Sequence, residues 1–239
     1  MRYFKDRMEN VNQEYRKFLN DYFNGLRLKE PLFYLWDLGL RFDLQIGKIV
    51  NPTRIIVNGE GKEINQKPSV NNVDYFDELI KRATTIFTTT FDKSDNVLLV
   101  YNQFKYRRRK IKSSSFIFRQ VVNFNKKGIV YTRDPENDRA AYGINSAILK
   151  CKTEEIDFAQ ILIAIANSDF QDRSPRLLKK GSSVTEVYLI NLDKKMIFHM
   201  FGDRGIDLIA YDVENLRPIY SKCKNWLIAD KKNNIDKLF

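Results

Sequence analysis

The residues best equipped for chemistry gather near the C-terminal end, in Ile197-Phe198-His199-Met200-Phe201-Gly202-Asp203-Arg204-Gly205-Ile206-Asp207-Leu208. His199 is the only histidine of the chain. With Asp203 and Asp207 it supplies the groups of a general acid–base site, or part of a ligand set for a hard cation. Arg204 is suited to hold a phosphate or a carboxylate through paired N–H donors. The competing reading is structural. Gly202 and Gly205 then supply positive φ for a turn, Asp203 caps backbone amides, and Arg204 pairs with a carboxylate. Turn chemistry is the commoner use of these residue types, so the structural reading is preferred.

Two other groups stand out. In Leu35-Trp36-Asp37-Leu38-Gly39-Leu40-Arg41-Phe42-Asp43, Trp36 reads as a core or groove anchor. Asp37, Arg41 and Asp43 share parity along a strand, which puts them on one face. There they form an ion-pair ladder or line a cleft with the Asp203 turn. The third group, Lys105 to Lys112, carries six positive charges in eight residues, with Phe104, Tyr106, Phe116 and Phe118 interleaved or adjacent. Arg107, Arg108, Arg109 and Lys110 can pair with phosphates while aromatic rings stack on bases, the composition of a single-strand-binding surface. Ser113 to Ser115 follow, so a solvated loop explains the run equally simply.

Catalytic signatures are otherwise missing from the sequence: it has no phosphate-binding P-loop, no GxGxxG after a strand, no GxSxG elbow and no HExxH. One histidine also limits any histidine-assisted nucleophile to His199. Cys151 and Cys223 lack the CxxC spacing of a zinc site and read as small apolar core residues in a reducing compartment. No metal and no cofactor are expected.

These side chains need a scaffold, and the composition provides one. In 239 residues, 43% are hydrophobic, with 17 Phe, 12 Tyr and 2 Trp, enough for a real core. The net charge of +11 suits nucleic acid, an anionic membrane surface or an acidic protein. The charged N-terminus has no signal-peptide apolar region, and the longest apolar run, Ile161 to Ala166, is too short to span a bilayer. A cytoplasmic protein without a transmembrane segment is expected.

Phe4, Met8, Val11, Tyr15, Phe18 and Tyr22 recur at steps of three and four, predicting an amphipathic helix ended by Gly25. Leu32 to Ile46 ends in strand-like alternation, and Ile55 to Val57 suggests a short strand before a turn. Gly59 to Asn72 reads as an exposed connection. A second helix starts near Asn71 or Asn72 and frays at Thr88-Thr89-Thr90. Strands are predicted over Val97 to Tyr101 and Tyr142 to Lys152. A third helix begins after Thr153. Val184 to Ile190 and Met196 to Phe201 form a hairpin, with Ile206 to Tyr211 as a further antiparallel strand. Val213 to Tyr220 is a short helix interrupted by Pro218, and Trp226-Leu227-Ile228 anchors the tail. The irregular alternation of elements favours a single α+β domain over 1–239, with a largely antiparallel or mixed sheet and three main helices. Weak alternative boundaries fall at Lys105 to Lys112 and Arg133-Asp134-Pro135.

The segment 195–235 resembles the mainly bacterial family Domain of Unknown Function 3885. The resemblance is carried by Ile197 to Asp207, by Leu216-Arg217-Pro218-Ile219-Tyr220 and by Trp226-Leu227-Ile228. It extends upstream to Pro31 to Asp37, Leu40 to Asp43 and Tyr75 to Asp92. The family usually shows Asp-Asp-Arg-Gly where this chain has Gly202-Asp203-Arg204-Gly205. The resemblance implies no established activity. Similar proteins lie among small accessory genes near bacterial toxin systems, which implies a protein-binding, toxin-neutralising role. The leading expectation is therefore a protein-binding protein, more an interaction factor than an enzyme. The alternatives are nucleic-acid binding through 105–112 and an enzyme acting on a phosphate-containing substrate through 199–207.

Overall fold

The computed structural model describes residues 2–29, 31–46, 56–57, 63–64, 73–106, 111–112, 115–135, 142–177, 184–228 and 235–239. The first apolar stripe folds as α1 (Arg2–Phe23). The chain leaves it through Asn24 and Gly25, both at positive φ (52° and 72°), and the Gly25 N–H donates to Leu19 O. Left-handed backbone costs least at Gly and Asn, so the helix stops there.

After a 3-10 turn at Leu32–Tyr34 come β1 (Gly39–Asp43), a small hairpin of β2 (Ile56–Val57) and β3 (Glu63–Ile64), and α2 (Val73–Thr90). Then follow β4 (Asn96–Tyr106), β5 (Val130–Pro135), β6 (Tyr142–Lys152) and α3 (Phe158–Ala166). The chain continues with β7 (Thr185–Asn191), β8 (Met196–Met200), β9 (Gly205–Ala210) and α4 (Val213–Cys223). Seven strands form one sheet in the order β1-β9-β8-β7-β4-β6-β5, every neighbour antiparallel. The fold is a single α+β domain, with four α-helices among the described residues.

Side chains alternate across the sheet, so each face has its own core. One face, carrying Phe42, Leu99, Leu149, Leu189, Phe198 and Leu208, packs under α2, α3 and α4. Phe87 is its hub, stacking on Phe91 and Phe158 at 4.5 and 4.3 Å between ring centroids and meeting Phe198 edge-on at 5.7 Å. The opposite face carries Leu98, Val100, Ile148, Tyr188, Ile197 and Ile209. There α1 lies over β5 and β6, while the Leu32–Tyr34 turn covers β9 and β1. Burial on both faces explains why β8 is buried at every position.

Several local expectations are corrected. Thr88 to Thr90 do not fray: their hydroxyls donate to the carbonyls of Thr84, Thr85 and Ile86 at 2.7–2.9 Å, and the helix runs to Thr90. Arg133-Asp134-Pro135 is no boundary but the end of edge strand β5. Lys105 belongs to β4, which is longer than predicted. Thr153–Glu155 forms a separate 3-10 turn, and α3 starts later, where Asp157 accepts from Gln160 N–H at 3.2 Å. Pro218 sits inside α4 without stopping it. Burial of Leu216, Ile219 and Cys223 offsets the missing N–H. Cys151 and Cys223 are buried free thiols. The tail anchors β1 as expected: Leu227 bridges Phe42, and Ile228 N–H donates to Arg41 O at 3.0 Å. Asn71, Asn72 and most of the 59–72 connection lie outside the described residues, but β3 occupies part of that span.

Candidate functional site

The β8–β9 turn holds its two glycines for different reasons. Gly202 has φ +77°, the left-handed conformation the sequence suggested. Gly205 does not: a Cβ there would lie 2.4 Å from Phe42 O and 2.7 Å from Phe201 Cζ, so glycine is required by close approach to β1. The turn is thereby pressed against the neighbouring strand, and Arg204 O accepts from Leu44 N–H at 3.2 Å.

The side chains of this segment then separate. Asp203 is buried on the side of α2, where it accepts a hydrogen bond of 2.7 Å from Tyr75 Oη. Burial first, then this bond to a carboxylate, raises the Tyr75 pKa, so the phenol stays protonated as donor. Asp203 thus binds a side-chain hydroxyl rather than capping the turn as the structural reading supposed. Asp207 is fully buried on the opposite face. It pairs with Arg41 at 3.3 Å across the β1–β9 register and accepts from Phe33 N–H at 3.3 Å. Arg204 is exposed, its guanidinium 5.7 Å from the centre of the Phe201 ring.

His199 faces the same way as Asp207, its direct register partner on β9. Its ring stacks on Tyr188 at 4.3 Å and 19°. Tyr188 Oη in turn donates to Glu186 at 2.5 Å. The strands β7, β8, β9 and β1 therefore align Tyr188, His199, Asp207 and Arg41 in one row, with Glu186 beside it. Burial pushes the His199 pKa down to about 3, helped by the Arg41 and Arg204 charges. The imidazole is neutral at physiological pH, and Nδ1 has no hydrogen-bond partner among the described residues. Such a ring is a poor proton acceptor near neutrality. The geometry unites His199, Asp207 and Arg41 and leaves Asp203 on the other face. Among the described residues no group of three or more His, Cys, Asp or Glu could hold a metal ion.

Arg41 and Asp43 sit on β1 as expected, but Asp37 precedes the strand and is exposed, outside the proposed ladder. Trp36 is half-buried. It packs on Phe23 at 5.0 Å between centroids, and its indole N–H donates to Ala210 O at 2.8 Å. Arg107, Arg108, Arg109 and Lys110 lie outside the described residues, while the flanking Ile111 is buried in the core.

Sequence reasoning singled out Trp36 and Arg41 but not the exposed large side chains Tyr34, Leu35 and Tyr211. Tyr34, Leu35 and Tyr211 are 54%, 42% and 49% exposed. Tyr211 meets Tyr22 edge-on at 5.3 Å, with Lys195 Nζ 4.9 Å from the centre of the Tyr22 ring. Arg41 lies 5.2 Å from the centre of the Tyr34 ring and 4.4 Å from that of Phe201. These residues are dispersed in sequence: Arg41 meets Tyr34 and Phe201 at one end of the β1–β9 pair, while Tyr211 meets Tyr22 and Lys195 beyond its other end.

The seven-stranded antiparallel sheet with helices packed on its faces defines an α+β protein. The chain belongs to the family described as domain of unknown function DUF3885, which matches residues 15–231. It is 24% identical over 219 residues to the uncharacterised protein YnaE of Bacillus subtilis (strain 168), covering 88% of this chain and 95% of that one. No solved structure matches it. No described helix is long and apolar enough to cross a membrane.

Proposed function

We propose that this chain is a cytoplasmic binding protein that docks an acidic protein partner, as a toxin-neutralising or accessory factor would. The observation that carries the reading is the exposure of the large side chains Tyr34, Leu35 and Tyr211 along the β1–β9 side of the sheet, with Arg41 against Tyr34 and Lys195 against Tyr211. Exposed aromatics among cations are the residue types that concentrate binding energy at interfaces. The charge of +11 favours a partner of opposite sign. The closed Asp207–Arg41 pair and the neutral, buried His199 favour binding over catalysis at the same edge.

The test is recovery of the tagged protein from native extract, with and without nuclease, under rising salt. A stoichiometric acidic protein that survives nuclease and is lost from the Tyr34→Ala/Tyr211→Ala variant supports the reading. Recovery of nucleic acid that disappears when Arg107, Arg108 and Arg109 become alanine supports the basic run instead. A partner retained in full by the tyrosine variant removes this edge as the contact surface.

A further inference from the structure

At one corner the sheet ends a strand early. β5 follows β6 only as far as the pair Val130↔Ile148, while β6 runs on to Lys152 beside β4. The same register, continued, would set Gly128 opposite Lys150. Instead the 3-10 turn at Lys126–Gly128 takes the Gly128 N–H to Asn125 O at 2.9 Å. Alternation along β6 decides which groups this leaves without a strand. Thr153 N–H donates to Asp95 O on the β4 side, and Lys152 N–H points the other way, to Glu155 Oε2 at 2.6 Å. Lys150 shares the parity of Lys152, so its N–H and C=O also point away from β4. Among the described residues no backbone group pairs with them.

The place of the missing pair is a cleft of about 310 Å³, lined by both Lys150 and Gly128. It is open to solvent: Asn125, Lys127, Lys150 and Lys152 at its rim are exposed, and Val122 is 59% exposed. Its walls alternate in character with the strand. Leu149 and Cys151 belong to the helix-rich core, with Phe124 packed against it, and they give an apolar side. Lys150 and Lys152 turn to the other side. The charged lining residues are Lys127, Lys150 and Lys152 against one carboxylate, Glu155, which is engaged on Lys152 N–H. Lys150 Nζ also holds Glu14 of α1 at 2.6 Å.

We infer that the end of β6 takes up an extended peptide segment as an added antiparallel strand, with apolar residues opposite Leu149 and Cys151 and acidic residues opposite Lys150 and Lys152. An open strand edge is a template for exactly one kind of partner, another strand, whose main chain gives affinity while alternate side chains give specificity. The lysines select an acidic strand by charge, and the apolar wall selects its other face. This surface is separate from the docking side proposed above, because it lies on β6 and the other on β1 and β9.

The test titrates the full chain with acetyl-Glu-Val-Glu-Val-amide, followed by amide chemical shifts. Saturable shifts at Lys150 and Gly128 are expected. Methylating the nitrogen of the second glutamate, which faces Lys150 O, should weaken binding roughly tenfold by removing one ladder hydrogen bond. The glutamine analogue should bind several-fold more weakly and lose the salt dependence of the acidic peptide. Lys127→Ala/Lys152→Ala, both surface changes, should bring the acidic peptide down to the level of the glutamine analogue. Val122→Asp should weaken both peptides, and Tyr34→Ala/Tyr211→Ala should change neither. Absence of saturable shifts at millimolar peptide, or equal binding of the methylated peptide, overturns the inference. So does slow hydrogen exchange of the Lys150 amide in the protein alone, which would show the edge already paired. Shifts at Lys150 that grow with protein concentration in the absence of peptide would replace the peptide by a second copy of this chain and overturn it equally.

Discussion

The two faces of the sheet solve burial differently. Under α2, α3 and α4 the core is built on the interlocked rings of Phe87, Phe91, Phe158 and Phe198, and its buried polar groups are paired, Asp203 with Tyr75 and Asn191 with Asp95. On the other face, one helix and one short turn cover the strands, and side chains there become polar: Asn102, Ser146, Glu186, His199, Asp207. Asp203 and Asp207, four residues apart, show the contrast at closest range. The first meets a neutral hydroxyl beneath α2, the second a guanidinium on the opposite face. The helix-rich face is organised around interlocking ring shapes, and the α1 face around the row of Tyr188, His199, Asp207 and Arg41.

The largest effect is expected where shape alone acts. Phe198→Ala should cost about 4 kcal/mol in urea unfolding, from lost transfer energy and a cavity beneath Phe87. A loss under about 1 kcal/mol would mean the aromatic cluster collapses freely. Next, Arg41→Met should cost about 3 kcal/mol, because it leaves the fully buried Asp207 carboxylate without its cation. The double variant Arg41→Met/Asp207→Leu should regain most of that loss; strict additivity would break the claim that this face is held by pairing. Tyr75→Phe should cost about 2 kcal/mol by taking the hydroxyl from buried Asp203.

The smallest change is expected from His199→Phe, within about 1 kcal/mol at neutral pH, since the ring is already neutral and stacked. Its signature is pH dependence. The folded pKa of about 3 lies below the ordinary 6.5, so between these values the unfolded chain binds a proton that the folded chain refuses. This contribution is therefore fully present above pH 6.5 and falls as pH drops toward 3, by up to about 1.4 kcal/mol per pH unit. Unfolding curves of the two proteins should diverge over that window, with His199→Phe less acid-sensitive. Parallel curves would show that His199 does not titrate as a buried group.

The helix-rich face was the more legible in sequence. The stripe of α2, the strand Tyr142–Lys152 and the β7–β8 hairpin follow from periodicity, because on these elements apolar residues mark the buried side. Edge strand β5 escaped because Val-Tyr-Thr-Arg-Asp-Pro mixes polar residues into a short run beside a proline. The threonines ending α2 misled because propensity counts their cost but not the carbonyls their hydroxyls reach. In the candidate site, the local sequence disclosed His199, Asp207 and Arg41 as notable residues. It left the facing direction of His199 open and could not place Asp203 opposite Asp207. The facing of His199 follows from the register of β8 with β7 and β9, and the Arg41–Asp207 pair from that of β1 with β9, strands separated by more than 160 residues.

That register also orders events during synthesis. β1 takes its place between β9 and the Leu227–Ile228 tail, so Trp36 and Arg41 must wait on the ribosome until residues near Ala210 and beyond have emerged. Until then the growing chain displays Leu40 and Phe42 without their final neighbours, a long-range closure that slows folding and invites chaperones. β1, β9 and the segment around Leu227 are consequently one folding unit. A stop codon just before β9 would leave the earliest-made strand stranded, to be cleared as a misfolded fragment.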